Sequence, residues 1–155
     1  MPDKYQFINY NPKYKADFAR LNYRWIETYF KIEETDSLYL DHPEKMIINK
    51  GGEIIFILKG DSAIGTCAIV KMDNKNFELA KMAIDPSCQG EGLGFALGQA
   101  VLQRAKELGA ERVFLESNTI LEPAINLYKK LGFKRMENTE SPYERSNIQM
   151  EYWVT

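Results

Sequence analysis

Cysteine and histidine are nearly missing from this chain of 155 residues: Cys67, Cys88 and His42 are the whole supply. The separation of the two cysteines matches no metal spacing and forms no disulfide framework, so both read as reduced thiols and no metal is expected. Charge of one sign is lacking as well. With 20 basic and 22 acidic side chains the formal net charge is −2, which gives the bulk field no pull on nucleic acid or on an anionic membrane. No apolar run approaches the ~20 residues of a membrane span, and the N-terminus has no signal-peptide core. The expectation is a cytoplasmic protein without nucleic-acid or membrane partners. Repeats, linkers and low-complexity tracts are absent too.

What the chain does have is apolar material, 45% of its residues, enough at this length to bury the core of a single domain over residues 1–155. Tyr5-Gln6-Phe7-Ile8 reads as a strand stopped by Asn9 to Pro12. Phe18, Leu21, Trp25 and Tyr29 then recur at helical spacing, which predicts a helix from about Lys13 to Phe30. Glu33 to Asp36 reads as an acidic, solvated turn, and His42-Pro43-Glu44 as the start of a short helix with Asp41 as its N-cap. His42 reads as a surface residue with no catalytic role.

Gly51-Gly52 breaks the chain before Glu53 to Lys59, whose unbroken Ile54-Ile55-Phe56-Ile57-Leu58 predicts a central strand. Ala63 to Met72 and Phe77 to Ile84 follow as strands joined by polar turns. Leu93, Leu97, Val101, Ala105 and Leu108 make the apolar stripe of a long helix. Arg112 to Glu116 is a strand expected beside Phe77 to Ile84. Pro123 opens a helix that Gly132 ends, Phe133 to Met136 is a further strand, Glu137 to Ser146 a polar excursion, and Ile148 to Val154 a terminal strand. The order is β-α-α-β-β-β-α-β-α-β-β, an α/β (α+β) layer structure.

Between the third of these middle strands and the long helix lies Gln89-Gly90-Glu91-Gly92-Leu93-Gly94. Glycines there permit positive φ and present backbone N–H groups to an anion, with the positive end of the helix dipole behind them. The dinucleotide fingerprint fails because position 95 is Phe, and the P-loop fails for lack of a Gly-Lys-Ser/Thr ending. What remains, Gln89-x-x-Gly92-x-Gly94, resembles the Q/R-x-x-G-x-G/A signature of the GNAT superfamily of N-acetyltransferases. Three further stretches look like that family: Glu78 to Pro86, Leu115 to Thr119, and Ala124-x-x-Leu127-Tyr128-x-x-Leu131-Gly132-Phe133. The resemblance covers the chain from about Glu53 to its end. Tyr143-x-Arg145-Ser146-Asn147-Ile148-x-Met150 is similar to a bacterial subgroup, some of whose members are fused to a MarR-type regulator.

The resemblance implies a single-domain GNAT fold, a mixed and mostly antiparallel sheet with flanking helices, and transfer of an acetyl group from acetyl-CoA to a primary amine of a small molecule or peptide, without a metal. It places the pyrophosphate at Gln89, Gly90, Glu91, Gly92, Leu93, Gly94 and Phe95, and the pantetheine arm against the backbone of Met82, Ala83 and Ile84. By the same resemblance Glu78 is the general base, Tyr128 the general acid or hydrogen-bond donor to the thiolate beside the coenzyme A sulfur, and Asn118 a residue that hydrogen-bonds the pantetheine arm or helps order the site. Trp25, Tyr29, Glu33, Glu34, Tyr143 and Arg145 wall the acceptor side, with Arg145 a candidate for an acceptor carboxylate and Glu33 and Glu34 for a second ammonium. A homodimer is implied. Two other readings stay open: a non-catalytic acyl-CoA sensor or partner-binding module, and a generic nucleotide-binding domain, against which the glycine spacing counts.

Overall fold

The computed structural model describes residues 4–137, 141 and 143–155. Strands β1 (Gln6–Asn9), β2 (Glu53–Lys59), β3 (Ser62–Lys71), β4 (Asn76–Ile84), β5 (Arg112–Ser117), β6 (Lys134–Arg135) and β7 (Ile148–Trp153) form one sheet in the order β1-β2-β3-β4-β5-β7-β6. Every neighbouring pair is antiparallel except β4 and β5, which run parallel. Helices α1 (Lys15–Tyr29) and α2 (Glu34–Asp41) cover one face, and α3 (Leu93–Glu107) and α4 (Glu122–Leu131) the other. The element order is the one expected, with the strand from Phe133 reduced to Lys134–Arg135. Of the polar excursion, residues 138–140 and 142 lie outside the described residues.

The sheet separates two cores. Ile54, Phe56 and Leu58 of β2 pack with Phe18, Ile26 and Leu40 on the α1/α2 face, while Ile55 and Ile57 pack with Leu97 and Val101 of α3. That two-sided burial is why the strand reads as an unbroken apolar run rather than an alternating one. On the second face α4 approaches α3 closely because Gly98 has no side chain: a Cβ there would collide with Leu131.

The N-terminal half differs from expectation in one element. Glu33 to Asp36 is not a solvated turn but the beginning of α2, where the Glu33 carboxylate caps the Asp36 backbone N–H and the Asp36 carboxylate caps that of Glu33. Asp41, expected to open the next helix, instead ends α2 and accepts a hydrogen bond from the Tyr23 hydroxyl at 2.8 Å. His42 is exposed at the C-cap, and a π-helical turn follows at Glu44–Ile48.

Two irregularities of β4 set up the cleft. Its pairing with β5 covers only Asn76, Phe77 and Glu78 against Arg112, Val113 and Phe114, after which the strands part. On its other side β4 stays paired with β3, but the register slips so that Cys67 alone faces both Lys81 and Met82. Lys81 sits at this bulge with φ +56°, the one non-glycine with positive φ among the described residues. The extra residue inverts the alternation: Ala80 packs on the α1/α2 face, whereas Met82 and Ile84 pack on the α3 face. Lys81 can therefore join Ala80 on the α1/α2 face.

Candidate active site

Among the described residues, β4 has no strand on its β5 side beyond Glu78, so the backbone groups of Leu79 to Ile84 that point there have no sheet partner among them. They line the V-shaped opening between β4 and β5. At its end Asp85 caps a 3₁₀ turn, Pro86–Cys88, and the chain enters the glycine loop. Gly92 occupies the N-cap of α3 at φ +76°, a left-handed conformation that a side chain would strain, and it supplies no capping oxygen. The first-turn N–H groups of α3 are thus left without an internal acceptor. Among the described residues, no atom beyond the chain neighbours lies within 4 Å of the space a Cβ would fill at Gly90 or Gly92. An extended chain ending in a pyrophosphate fits this arrangement: free backbone amides along β4, then uncapped N–H groups in an open cradle. The Glu91 side chain turns to the N-terminal strand, where its carboxylate accepts a hydrogen bond from the Tyr5 hydroxyl at 2.8 Å and pairs with Lys4. Lys130 Nζ stands over the Phe95 ring at 4.9 Å.

A single cleft is lined by Trp25 and Phe30 of the α1 region, Glu78 to Met82, Glu116 to Asn118, Tyr128, Tyr143 and Arg145. Glu78 projects into it, and no described residue donates a hydrogen bond to its carboxylate. Burial pushes its pKa up to about 7, helped by the negative charge of Glu116 and opposed by Lys81. A carboxylate so placed can hold or release a proton near neutral pH. Tyr128 enters from α4, its phenol held protonated well above the usual tyrosine range by burial. Its hydroxyl also makes no hydrogen bond to a described residue and is free to donate one.

An ion cluster organises the wall of the cleft on the α1/α2 side. Asp36, fully buried, receives Lys81 Nζ at 2.9 Å and the Arg145 guanidinium at 2.6 and 2.8 Å. Arg145 also reaches Glu33 at 3.1 Å, and Lys81 donates to the Tyr143 hydroxyl at 2.8 Å. Burial would raise the Asp36 pKa, but the hydrogen bonds from Arg145 and the charge of Lys81 override it and bring it down to about 2.

This revises the expected acceptor wall. Arg145 is not a free cation awaiting a carboxylate, because its fork is taken by Asp36 and Glu33. Glu33 is likewise committed to Arg145, and Tyr29 is half exposed, its ring tilted against Trp25 rather than lining the cleft. Asn118 spends its side chain on the protein: Nδ2 donates to the Arg145 carbonyl at 2.7 Å and Oδ1 accepts from the Ile120 N–H at 2.9 Å. It ties the end of β5 to the loop that carries Arg145. Asp36, Lys81 and Glu116 are the site residues that sequence reasoning missed. A lysine between Ala80 and Met82 of a largely buried strand was the available signal for Lys81.

A family model described as Acetyltransferase (GNAT) family matches residues 19–133. Among curated proteins, the chain is 28% identical over 102 residues to the uncharacterized N-acetyltransferase YvbK of Bacillus subtilis, covering 64% of this chain and 66% of that one. It is 38% identical over 60 residues to the uncharacterized N-acetyltransferase YjgM of Escherichia coli, covering 39% of this chain and 36% of the relative. It is 30% identical over 107 residues to N-acetylaspartate synthetase of Danio rerio, covering 63% of this chain and 38% of the relative. The aligned stretch thus spans little more than a third of the length of two of these relatives. Among solved structures, an acetyltransferase of the GNAT family from Staphylococcus aureus Mu50 superposes with a TM-score of 0.88 at 20% identity, covering 97% of this chain and 99% of that one. The yncA protein of Salmonella typhimurium, solved with its cofactor acetyl-CoA, superposes with a TM-score of 0.77 at 13% identity, covering 98% and 95%.

Proposed function

The chain belongs to the GNAT acetyltransferase family, and from that premise we propose that it is an N-acetyltransferase that uses acetyl-CoA to acetylate a primary amine of a small molecule or peptide. The observation that carries this reading is the meeting of Glu78 and Tyr128 in one cleft, neither bound to a described residue, at the mouth of the unpaired backbone of β4. Acetyl-CoA supplies the thioester, an acetyl group already activated for transfer. Residues Met82 to Ile84 hold its pantetheine amides through their backbone, and Gln89 to Phe95 its pyrophosphate. Glu78 takes a proton from the acceptor ammonium, directly or through water, leaving a nitrogen lone pair to attack. A backbone N–H near Met82 receives the developing negative charge on the carbonyl oxygen. As the carbon–nitrogen bond forms and the carbon–sulfur bond breaks, Tyr128 gives its proton to the departing thiolate; the second proton of the acylated nitrogen returns through water to the Tyr128 phenolate, and Glu78 releases the first to solvent.

Acetyl-CoA at saturating concentration should raise the thermal midpoint of the pure protein, since a ligand of the native state stabilises it by mass action, while ATP and NAD should not. Tyr128→Phe should keep that rise and lose turnover by roughly 10²-fold or more, read as thiol release with an amine acceptor. No rise with acetyl-CoA would remove the donor site, and full activity in Tyr128→Phe would remove the proton donor.

A further inference from the structure

The cations of the cleft are already balanced. Lys81 and Arg145 are closed off by Asp36 and Glu33, so the carboxylates left unmatched are Glu78 and Glu116. Both face the same way. Glu78 is in register with Phe114 across the β4–β5 pair, and Glu116, two residues further along β5, shares the face of Phe114. Glu116 is near enough for its charge to act on Glu78. Glu116 is oriented rather than consumed by its neighbours. Its Oε1 accepts from Gln149 Nε2 at 3.0 Å and from Ser146 at 3.5 Å, while no described residue donates to Oε2. An acceptor carboxylate entering here would meet two acids and, among the described residues, no cation that is not already paired.

The chemistry adds a constraint. The nitrogen that attacks must be neutral when it does so, and its proton passes to Glu78. It therefore cannot balance Glu116 at the moment of reaction. We propose that Glu116 is a specificity-determining residue that holds a second cationic nitrogen of the acceptor, so the preferred acceptor is an aliphatic diamine or a longer amine of the same kind. This rests on the acetyl-transfer reading above. Trp25, Phe30 and Tyr143 line the same cleft and suit both the methylene spacer and a cation over a ring.

The test starts with a calorimetric titration of the protein with CoA, followed by titration of that complex with butylamine, 1,4-diaminobutane and 4-aminobutyrate. These probes share a reacting amine and differ at the far end. The diamine should bind about tenfold or more tightly than butylamine, the value of one charge-assisted hydrogen bond, and 4-aminobutyrate should bind least well. Glu116→Gln, checked for an unchanged thermal midpoint, should bring the ratio of diamine to butylamine affinity close to one. Equal binding of the two amines to the native complex, a preference that survives Glu116→Gln, or binding of 4-aminobutyrate as tight as that of the diamine would overturn the proposal. Failure in the first titration would instead bring down the donor site, and the acceptor proposal with it.

Discussion

Glu78→Gln should lower kcat/KM at pH 7 by roughly 10²–10⁴-fold, the usual contribution of a positioned general base. The native enzyme should show an acid limb centred on about 7, falling tenfold for each pH unit below it, and the variant should lose that limb. The groups that act on this titration are Glu116, whose charge raises it, and Lys81, whose charge lowers it. Tyr39 and Tyr143 feel Glu78 in return. Stability should move the other way. The folded state holds the Glu78 proton up to about 7, against an ordinary value of 4.5, so it binds more protons than the unfolded chain in that window. The contribution of this group to stability then declines as pH rises from about 4.5 to about 7. At pH 8 the neutral amide should therefore raise the thermal midpoint while activity collapses. Unchanged activity, or a midpoint that falls with the activity, would mean that the carboxylate serves the fold and not the proton transfer.

Asp36→Asn should be the most damaging single change to the fold that leaves the apolar core untouched. It leaves Lys81 and Arg145 facing each other without their shared counter-charge, and breaking a buried ion pair from one side costs about 3–5 kcal/mol. For a chain of this size the thermal midpoint should fall by roughly 6–20 °C. The pH dependence identifies the cause. With a folded pKa near 2, below the ordinary 3.8, Asp36 contributes stability above about 3.8 and loses it as pH falls through about 2. The gap between native and variant midpoints should accordingly be widest near neutrality and shrink with acidification. A gap that is small at pH 7 would show that the charge of Asp36 does not stabilise the fold, and a large gap that does not change with pH would show that its hydrogen bonds matter and its charge does not.

Much of the fold was legible because its signals are local. The five apolar residues of β2, the glycine loop and the stripe of α3 each announce themselves within a dozen positions. The errors cluster around α2 and the ion cluster for a physical reason. Glu33-x-x-Asp36 is a capping box, but with glutamate at the N-cap it looks like a run of surface charge. That Asp36 is buried depends on partners 45 and 109 residues away, and no local pattern encodes such a distance. The bulge at Lys81 carries no glycine to mark its positive φ. Arg145 and Asn118 could be placed near the cleft by resemblance, but that their side chains are spent on Asp36 and on the Arg145 carbonyl is a property of the assembled site.

The parting of β4 from β5 has a mechanical consequence. Three residue pairs join β1 to β4 with β5 to β7, so the sheet is two stiff plates with a short hinge line at Asn76 to Glu78. Glu78 lies on that line, while the Lys81–Asp36–Arg145 cluster bridges the plates from the α1/α2 side like a brace, fastening β4 and α2 to the segment that leads into β7. A molecule threaded along β4 would act as a missing strand and stiffen the joint from within. The angle of the cleft is thus a property of the whole sheet, set by a hinge and a brace.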